Sequence, residues 1–357
     1  MKKINNFDLV CKNLGIPIVF IRKIEKSLKK FNGKIYIVGG NVRDLILNKS
    51  IINHPDLVVN LDLEKLLYCL GKAKIRFLKI GEKFGSIVVL YKKFKFDVTV
   101  MRKDIKTDGR WAKIKFTDSL EEDSKRRDFT FNSIYADKEG NLFDPNGGAK
   151  HLDEGRVIFI GDPNKRIQED YLRILRYIRF FLNYSKVSHN LSVQKSIKQN
   201  IGGIVNLSKE RLISELKKII LSKNILKISE DTFSLEILKT IFPQLVNWNC
   251  LGKLNDYSKN LFNKKSFVFL ISYLIIDDTD NANYFLFKYN LSKENKKRIK
   301  FLIDNYYLFS ENDYFSKKNL QRIYYFNDKS YVIDLLDLKI FNSKVASKKL
   351  IELKKYF

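Results

Sequence analysis

Apolar residues fall in short blocks over the first hundred positions or so and in a helical rhythm over the rest of the chain. Residues 1–33 read as mostly helix, interrupted near Gly15-Ile16-Pro17, after which Phe20, Ile21, Ile24 and Leu28 share one face. Lys34-Ile35-Tyr36-Ile37-Val38 reads as a strand stopped by Gly39-Gly40, and Asn41-Val42-Arg43-Asp44-Leu45-Ile46-Leu47 as a helix start. Further strands are expected at 57–59, 85–91 and 94–100, with Asp56 and Asp97 bordering or occupying them. Residues 102–113 are polar, carry the turn signal Asp108-Gly109, and read as a mobile loop. From about Pro163 the pattern is helical nearly to the end, with Ser208 and Ser292 as candidate N-caps. The chain is therefore expected to be α+β, with a mixed head up to about residue 160 and an all-helical remainder.

Charge adds a partner to this picture. The 357 residues include 67 Lys+Arg against 40 Asp+Glu, a formal net charge of +27, which points to a polyanion, nucleic acid before an anionic membrane. Codon bias would explain many lysines but not the excess over acids. Cys11, Cys69 and Cys250 lie far apart, form no metal or disulfide spacing, and suit a reducing cytosol. The first residues lack the apolar run of a signal peptide, and the longest apolar stretch, 267–276, is about half of a membrane span. A cytoplasmic protein with no membrane partner is the expectation.

Arginine use locates the chemistry. Only 15 of the 67 basic residues are arginine, and nine of those lie between Arg102 and Arg179. The planar guanidinium reads phosphates and base edges with paired hydrogen bonds, which lysine cannot do. The same window holds Arg126-Arg127-Asp128-Phe129-Thr130-Phe131-Asn132, Asp144-Pro145-Asn146-Gly147-Gly148 and Glu169-Asp170-Tyr171-Leu172-Arg173. Strand, Gly39-Gly40, helix is a further place for an anion, because it leaves backbone N–H groups directed outward.

In this order, with Gly39-Gly40-Asn41-Val42-Arg43-Asp44 before them and Ser208-Lys209-Glu210-Arg211-Leu212 after, these segments resemble the class II CCA-adding tRNA nucleotidyltransferases and the related bacterial poly(A) polymerases. The likeness runs from about residue 34 to 220 and weakly beyond. The resemblance implies a polymerase-beta-like nucleotidyltransferase head at 34–160 after an N-terminal helix at 1–33. A helical neck at 161–222 with a nucleotide-templating helix would follow, then a helical body and tail at 223–357 that bind tRNA. The implied reaction is attack of a tRNA 3′-hydroxyl on the α-phosphate of CTP or ATP with release of pyrophosphate, aided by Mg²⁺ or Mn²⁺. The resemblance also implies that Gly39, Gly40, Arg43, Arg127, Asp128, Asp170, Arg173, Arg176 and Arg179 bind nucleotide, with Asp56 and Asp97 catalytic.

Residue chemistry suits that role. Cytosine and adenine both offer an exocyclic amine donor beside a ring-nitrogen acceptor, so a carboxylate and a guanidinium together can accept both. Uracil and guanine reverse the order and leave both protein groups unpaired. Asp170 and Arg173, three apart in an expected helix, would share a face and could form such a pair; a surface ion pair is the plainer reading of the same spacing. Arg173, Arg176 and Arg179 recur as a ridge suited to triphosphate and the RNA end; a solvated face is the plainer alternative, disfavoured by the apolar neighbours Ile174, Leu175, Ile178 and Phe180. A local ion pair is the plain alternative for Arg126 and a weaker one for Arg127.

One acid of the family pattern is missing. Where the resemblance implies an Asp-x-Asp pair, the chain has Asn53-His54-Pro55-Asp56, with His54 at the first acid's position when anchored on the strand and Asn53 when counted from Arg43. Four accounts follow: Asp56 with Asp97 holds a working metal, the head has become a catalytically impaired tRNA-binding pseudoenzyme, His54 ligates a softer ion, or His54 is simply a surface residue beside Pro55. The 102–113 segment leans toward A addition, since family members that add only CC lack a mobile loop there. None of the three histidines precedes Asp, so the HD phosphohydrolase domain of some relatives is not expected. In the basic C-terminal half, the aromatics at 284–289 are assigned to packing and the lysines to the RNA backbone.

Overall fold

The computed structural model describes residues 3–49, 55–108, 111–277, 279–311 and 313–357, the side chains of 104–108 and 111–114 excepted. It divides into two compact units, Met1–Arg173 with Tyr184–Ser196, and Ile174–Asn183 with Ile197–Phe357.

The first unit is built on a seven-stranded sheet. Its strands are β1 (Ile35–Val38), β2 (Asp56–Val59), β3 (Phe77–Leu78), β4 (Ser86–Tyr91), β5 (Phe94–Val100), β8 (Tyr135–Ala136) and β9 (Leu142–Phe143), in the order β3-β4-β5-β2-β1-β8-β9, while β6 (Arg102–Asp108) and β7 (Trp111–Phe116) form a separate ribbon. The β2–β5 pair is parallel, and β1 runs antiparallel to both β2 and β8. Strand β5 alternates as its sequence demands: Phe96, Val98 and Val100 are buried, while Asp97 on the opposite face is exposed. The expected break at Gly15-Ile16-Pro17 separates helices Phe7–Asn13 and Ile18–Leu28. The second buries Phe20, Ile21, Ile24 and Leu28, with Phe20 stacked on Tyr91 at 3.9 Å between centroids.

The segment expected as a mobile loop is instead an antiparallel hairpin, β6 paired with β7 with a register shift between Asp104 and Lys106. Lysines at the cross-strand positions Lys103↔Lys115 and Lys106↔Lys113 gave the segment its polar appearance and hid the strand alternation.

The regular elements of the second unit's described residues are all helices. Ser208 and Ser292 cap as expected, accepting from the backbone N–H groups of Arg211 and Asn295. Helix Phe267–Ile275 is buried at every position, and helix Lys329–Phe341 buries two acids as well as its apolar residues. Those acids are paired: Asp334 with Arg298, and Asp337 with Lys265 and Lys354. The aromatics at 284–289 divide, because Phe285 and Tyr289 are buried whereas Tyr284 and Phe287 are 52% and 83% exposed. Packing thus accounts for only half of that cluster. No described helix is long and apolar enough to cross a membrane.

Candidate active site

Strand β1 ends at Val38, and Gly39 turns the chain into helix Gly40–Ile46 at φ 72°, ψ −133°, a conformation open in practice only to glycine. The buried Asn41 side chain then accepts from the backbone N–H of Asp56 at 3.2 Å, tying this turn to the start of β2. Register places Asp56 directly beside Asp97 on β5. Neighbouring residues in a parallel pair project from the same face, so the two carboxylates stand side by side. Desolvation and the charge of Asp97 push the Asp56 carboxyl up to about 6, while Arg127 opposes them.

This pair suits a hard divalent cation, which takes oxygen ligands and relieves repulsion between adjacent carboxylates. Among the described residues no group of three or more His, Cys, Asp or Glu side chains gathers as a metal cluster. His54 and Asn53, the two candidates for the position of the missing acid, lie outside the described residues.

The segment from Arg126 to Asn132 is held from below by an acid that sequence reasoning did not single out. Asp123, on helix Leu120–Lys125, is fully buried and pairs with both Arg126 (2.8 Å) and Arg127 (3.0 Å). The local ion pair expected for Arg126 therefore forms at Arg127 as well, because Asp123 stands three and four residues before them. Burial alone would raise the Asp123 carboxyl; the charges of Arg126 and Arg127, helped by the Tyr135 hydroxyl, bring it down to about 2. Asp128 is buried and accepts from the N–H of Phe129 (2.8 Å) and from Asn132 Nδ2 (3.1 Å). Asn132 Oδ1 in turn accepts from Arg43 Nη1 at 2.9 Å, and Arg43 stacks on Tyr184 at 4.6 Å while pairing with Asp44. Arg43 is thus part of the packing that joins the glycine turn to this segment.

Asp144-Pro145-Asn146-Gly147-Gly148 is a support for the same segment. The Asp144 carboxylate accepts from the N–H groups of Gly148 (2.7 Å) and Ala149 (2.9 Å), starting helix Gly148–Asp153. Gly148 lies so close to the Thr130 carbonyl that a Cβ there would sit 2.2 Å from its oxygen.

Asp170 does not occupy a helical position. Helix Pro163–Glu169 ends just before it, Asp170 is extended at φ −157°, ψ 102°, and its Oδ1 accepts from the Leu172 N–H at 3.2 Å as the next helix begins. Arg173 lies in the first turn of helix Leu172–Tyr184, so the two are brought together by a helix start and not by a shared helix face. Arg173 Nη1 donates to Glu169 Oε2 and to the Arg166 carbonyl, each at 2.6 Å. Buried Arg166 pairs with the same Glu169 and donates to the carbonyls of Arg126 and Arg127. Glu169 and Arg166 thus link the 126–132 segment to Asp170 and Arg173; their signal in the sequence was the i, i+3 and i, i+4 spacing from 166 to 173.

In the second unit Arg179 pairs with the buried Glu215 at 2.5 Å, and Arg176 and Arg179 both lie over the Phe180 ring. Burial raises the Glu215 carboxyl, but Arg179, Arg176 and Lys218 outweigh it and leave it below its ordinary value.

Two family models match this chain: the Poly A polymerase head domain over residues 35–158, and the probable RNA and SrmB-binding site of polymerase A over residues 191–248. The mitochondrial CCA tRNA nucleotidyltransferase 1 of Mus musculus is 33% identical over 295 residues, 80% of this chain and 66% of that protein. The chain belongs to the CCA-adding nucleotidyltransferase and poly(A) polymerase family. Another member, the CCA-adding enzyme of Geobacillus kaustophilus, is 32% identical over 201 residues, 55% of this chain and 48% of that one. The chain therefore spans between about half and two thirds of the length of these curated relatives. The family fold extends through both units: a crystal structure of the Bacillus stearothermophilus CCA-adding enzyme in complex with CTP superposes with a TM-score of 0.74 at 21% identity, covering 96% of this chain and 82% of that one.

Proposed function

We propose that this chain is a template-independent tRNA nucleotidyltransferase that adds C and A from CTP and ATP to the tRNA 3′ end and releases pyrophosphate. The observation that carries this reading is the register of Asp56 with Asp97, next to Arg127 and the glycine turn. Asp56 and Asp97 would hold a divalent cation, with Mg²⁺ as the ion and Mn²⁺ as its substitute. Such an ion supplies charge neutralisation at the triphosphate and lowers the pKa of the attacking hydroxyl. The chain's own work is placement. Arg127 and Asp128, the latter held by Asn132, meet phosphate and ribose, and the Gly39-Gly40 turn lets backbone approach the nucleotide closely. Asp170 accepts from the exocyclic amine of C or A, and Arg173 donates to the adjacent ring nitrogen. Arg176 and Arg179 serve the triphosphate or the RNA end. The net charge of +27 and the RNA-binding model over residues 191–248 support tRNA as the partner.

A cytoplasmic setting fits three free cysteines, although the mouse and human relatives are designated mitochondrial, so cell fractionation decides the compartment. The test of the reaction is incorporation of labelled CTP and ATP onto tRNA lacking its CCA end, with Mg²⁺ and Mn²⁺ in parallel. Growth by C, C and A with UTP and GTP refused is expected. A long A tail would replace this reading with poly(A) addition. Retained tRNA binding without incorporation under either metal would leave a binding protein derived from the enzyme. His54→Asp in the same assay tells whether position 54 limits the rate: a large gain marks an impaired carboxylate site, and a loss gives His54 a role of its own.

A further inference from the structure

Asp123 has no part in the reaction described above, yet it is fully buried and its two oxygens accept five hydrogen bonds. Oδ1 accepts from Arg126 Nε (2.8 Å) and the backbone N–H of Arg102 (3.3 Å), at the root of the β6–β7 hairpin. Oδ2 accepts from Arg127 Nε (3.2 Å), Arg127 Nη2 (3.0 Å) and the Tyr135 hydroxyl (2.8 Å). Tyr135 is itself fixed, because β8 pairs Tyr135 with Val38, the last residue of β1 before the glycine turn.

These bonds occupy one edge of the Arg127 guanidinium. The remaining nitrogen, Nη1, has no hydrogen-bond partner among the described residues and lies 3.7 Å from where a Cβ on Gly39 would be. Only 15% of the Arg127 side chain is exposed, so its direction is set by what holds it. A fork anchored through Nε and Nη2 has lost the rotamer freedom that an arginine in solution retains. Its third nitrogen therefore points at the turn without further ordering.

We propose that Asp123 is the positioning residue for nucleotide binding: it fixes Arg127 so that Nη1 is presented to the triphosphate of the incoming nucleotide beside Gly39. This rests on the nucleotidyltransferase reading given above. Without the carboxylate, two guanidinium groups and a tyrosine hydroxyl converge on a site that no longer balances their charge, and Arg127 leaves its pose.

The test compares wild type with Asp123→Asn, Tyr135→Phe, Arg127→Ala and the double variant Asp123→Asn/Arg127→Ala. Two quantities are read: KM and kcat for CTP on tRNA lacking CCA, and equilibrium CTP binding without tRNA. Asp123→Asn is expected to raise both KM and the CTP dissociation constant about tenfold, with kcat within about threefold and the KM for tRNA unchanged. Tyr135→Phe should act in the same direction by about threefold, because it removes one of the supports. In the Arg127→Ala background, Asp123→Asn should add less than about twofold, since the residue it positions is already gone. Asp123→Asn with wild-type KM and CTP affinity overturns the inference, and so does an undiminished penalty in the Arg127→Ala background. If Asp123→Asn does not fold, Tyr135→Phe with and without Arg127→Ala decides by the same criterion. A wild-type protein that neither binds CTP nor incorporates it brings down the nucleotidyltransferase reading itself, and this inference with it; normal wild-type behaviour with an unchanged Asp123→Asn variant sinks the positioning role alone.

Discussion

Asp56 and Asp97 are direct partners across the parallel β2–β5 pair, and neither strand alone could supply the two carboxylates together. Under the proposed function, the two metal-holding acids would come from these separate strands. Replacing either acid should then remove the chemistry and leave the RNA contacts intact. Asp97→Asn and Asp56→Asn are each expected to slow nucleotide incorporation by roughly a hundredfold or more. tRNA affinity should stay within about twofold, because the basic residues that would draw the RNA backbone are left unchanged. Single-turnover incorporation alongside a filter-binding titration checks both halves.

Under the proposed function, base selection would depend on a guanidinium whose direction is set by Glu169. Arg173 Nη1 is anchored to Glu169 and to the Arg166 carbonyl, which would leave the rest of the fork for the base. Arg173→Lys keeps the charge but loses the planar geometry, so CTP and ATP incorporation should fall by about a hundredfold in kcat/KM. Asp170→Ala should instead relax selection, with UTP becoming a measurable substrate, since the carboxylate that penalises its carbonyl is gone. Competition between CTP and UTP in one reaction reads the ratio directly.

Much of this site was legible in the sequence because its main strands are short apolar blocks ended by glycine or charge. Strands β1, β2, β4 and β5 each follow such a block, and the glycines after Val38 could only mark a turn. Other features carried no periodic signal. Strands β3, β8 and β9 are two residues long, too short for alternation to show. The break at Asp170 was hidden because Glu169-Asp170-Tyr171-Leu172 contains neither Gly nor Pro; the helix is stopped by a backbone conformation that the Asp170 side chain then caps. Buried acids were the least visible of all. Nothing in the residue type distinguishes Asp123 or Glu215 from a solvated acid, and the partner of Arg179 is 36 positions away.

Gly148 is required by space. A Cβ there would meet the Thr130 carbonyl oxygen at 2.2 Å and the Phe131 Cα at 2.8 Å, both backbone atoms that cannot swing aside. Gly148→Ala should therefore displace the segment that carries Arg127 and Asp128, at a cost of about 2–4 kcal/mol. The expected result is a lower urea midpoint for the first unit and a raised KM for CTP together. Gly161→Ala is the control for loss of glycine at positive φ, since nothing lies within 4 Å of its Cβ position. Strain alone predicts a cost of about 1 kcal/mol there with CTP binding unaffected.

Asp123 also sets an acid limit on the fold. Its carboxyl titrates at about 2 in the folded chain against 3.8 for the free side chain, so the folded state binds that proton less readily than the unfolded one. The resulting stabilisation is fully present above pH 3.8 and is lost as the pH falls toward 2, and the shift corresponds to about 2 kcal/mol. Urea unfolding followed between pH 5 and pH 2.5 should show the wild-type midpoint falling steeply across this range. Asp123→Asn should begin lower at pH 5, because an amide cannot balance Arg126 and Arg127, and should then fall less steeply by the share that Asp123 supplies. Parallel curves for the two proteins would mean that Asp123 is not the group being titrated, and the acid sensitivity of the first unit would have to come from another carboxylate.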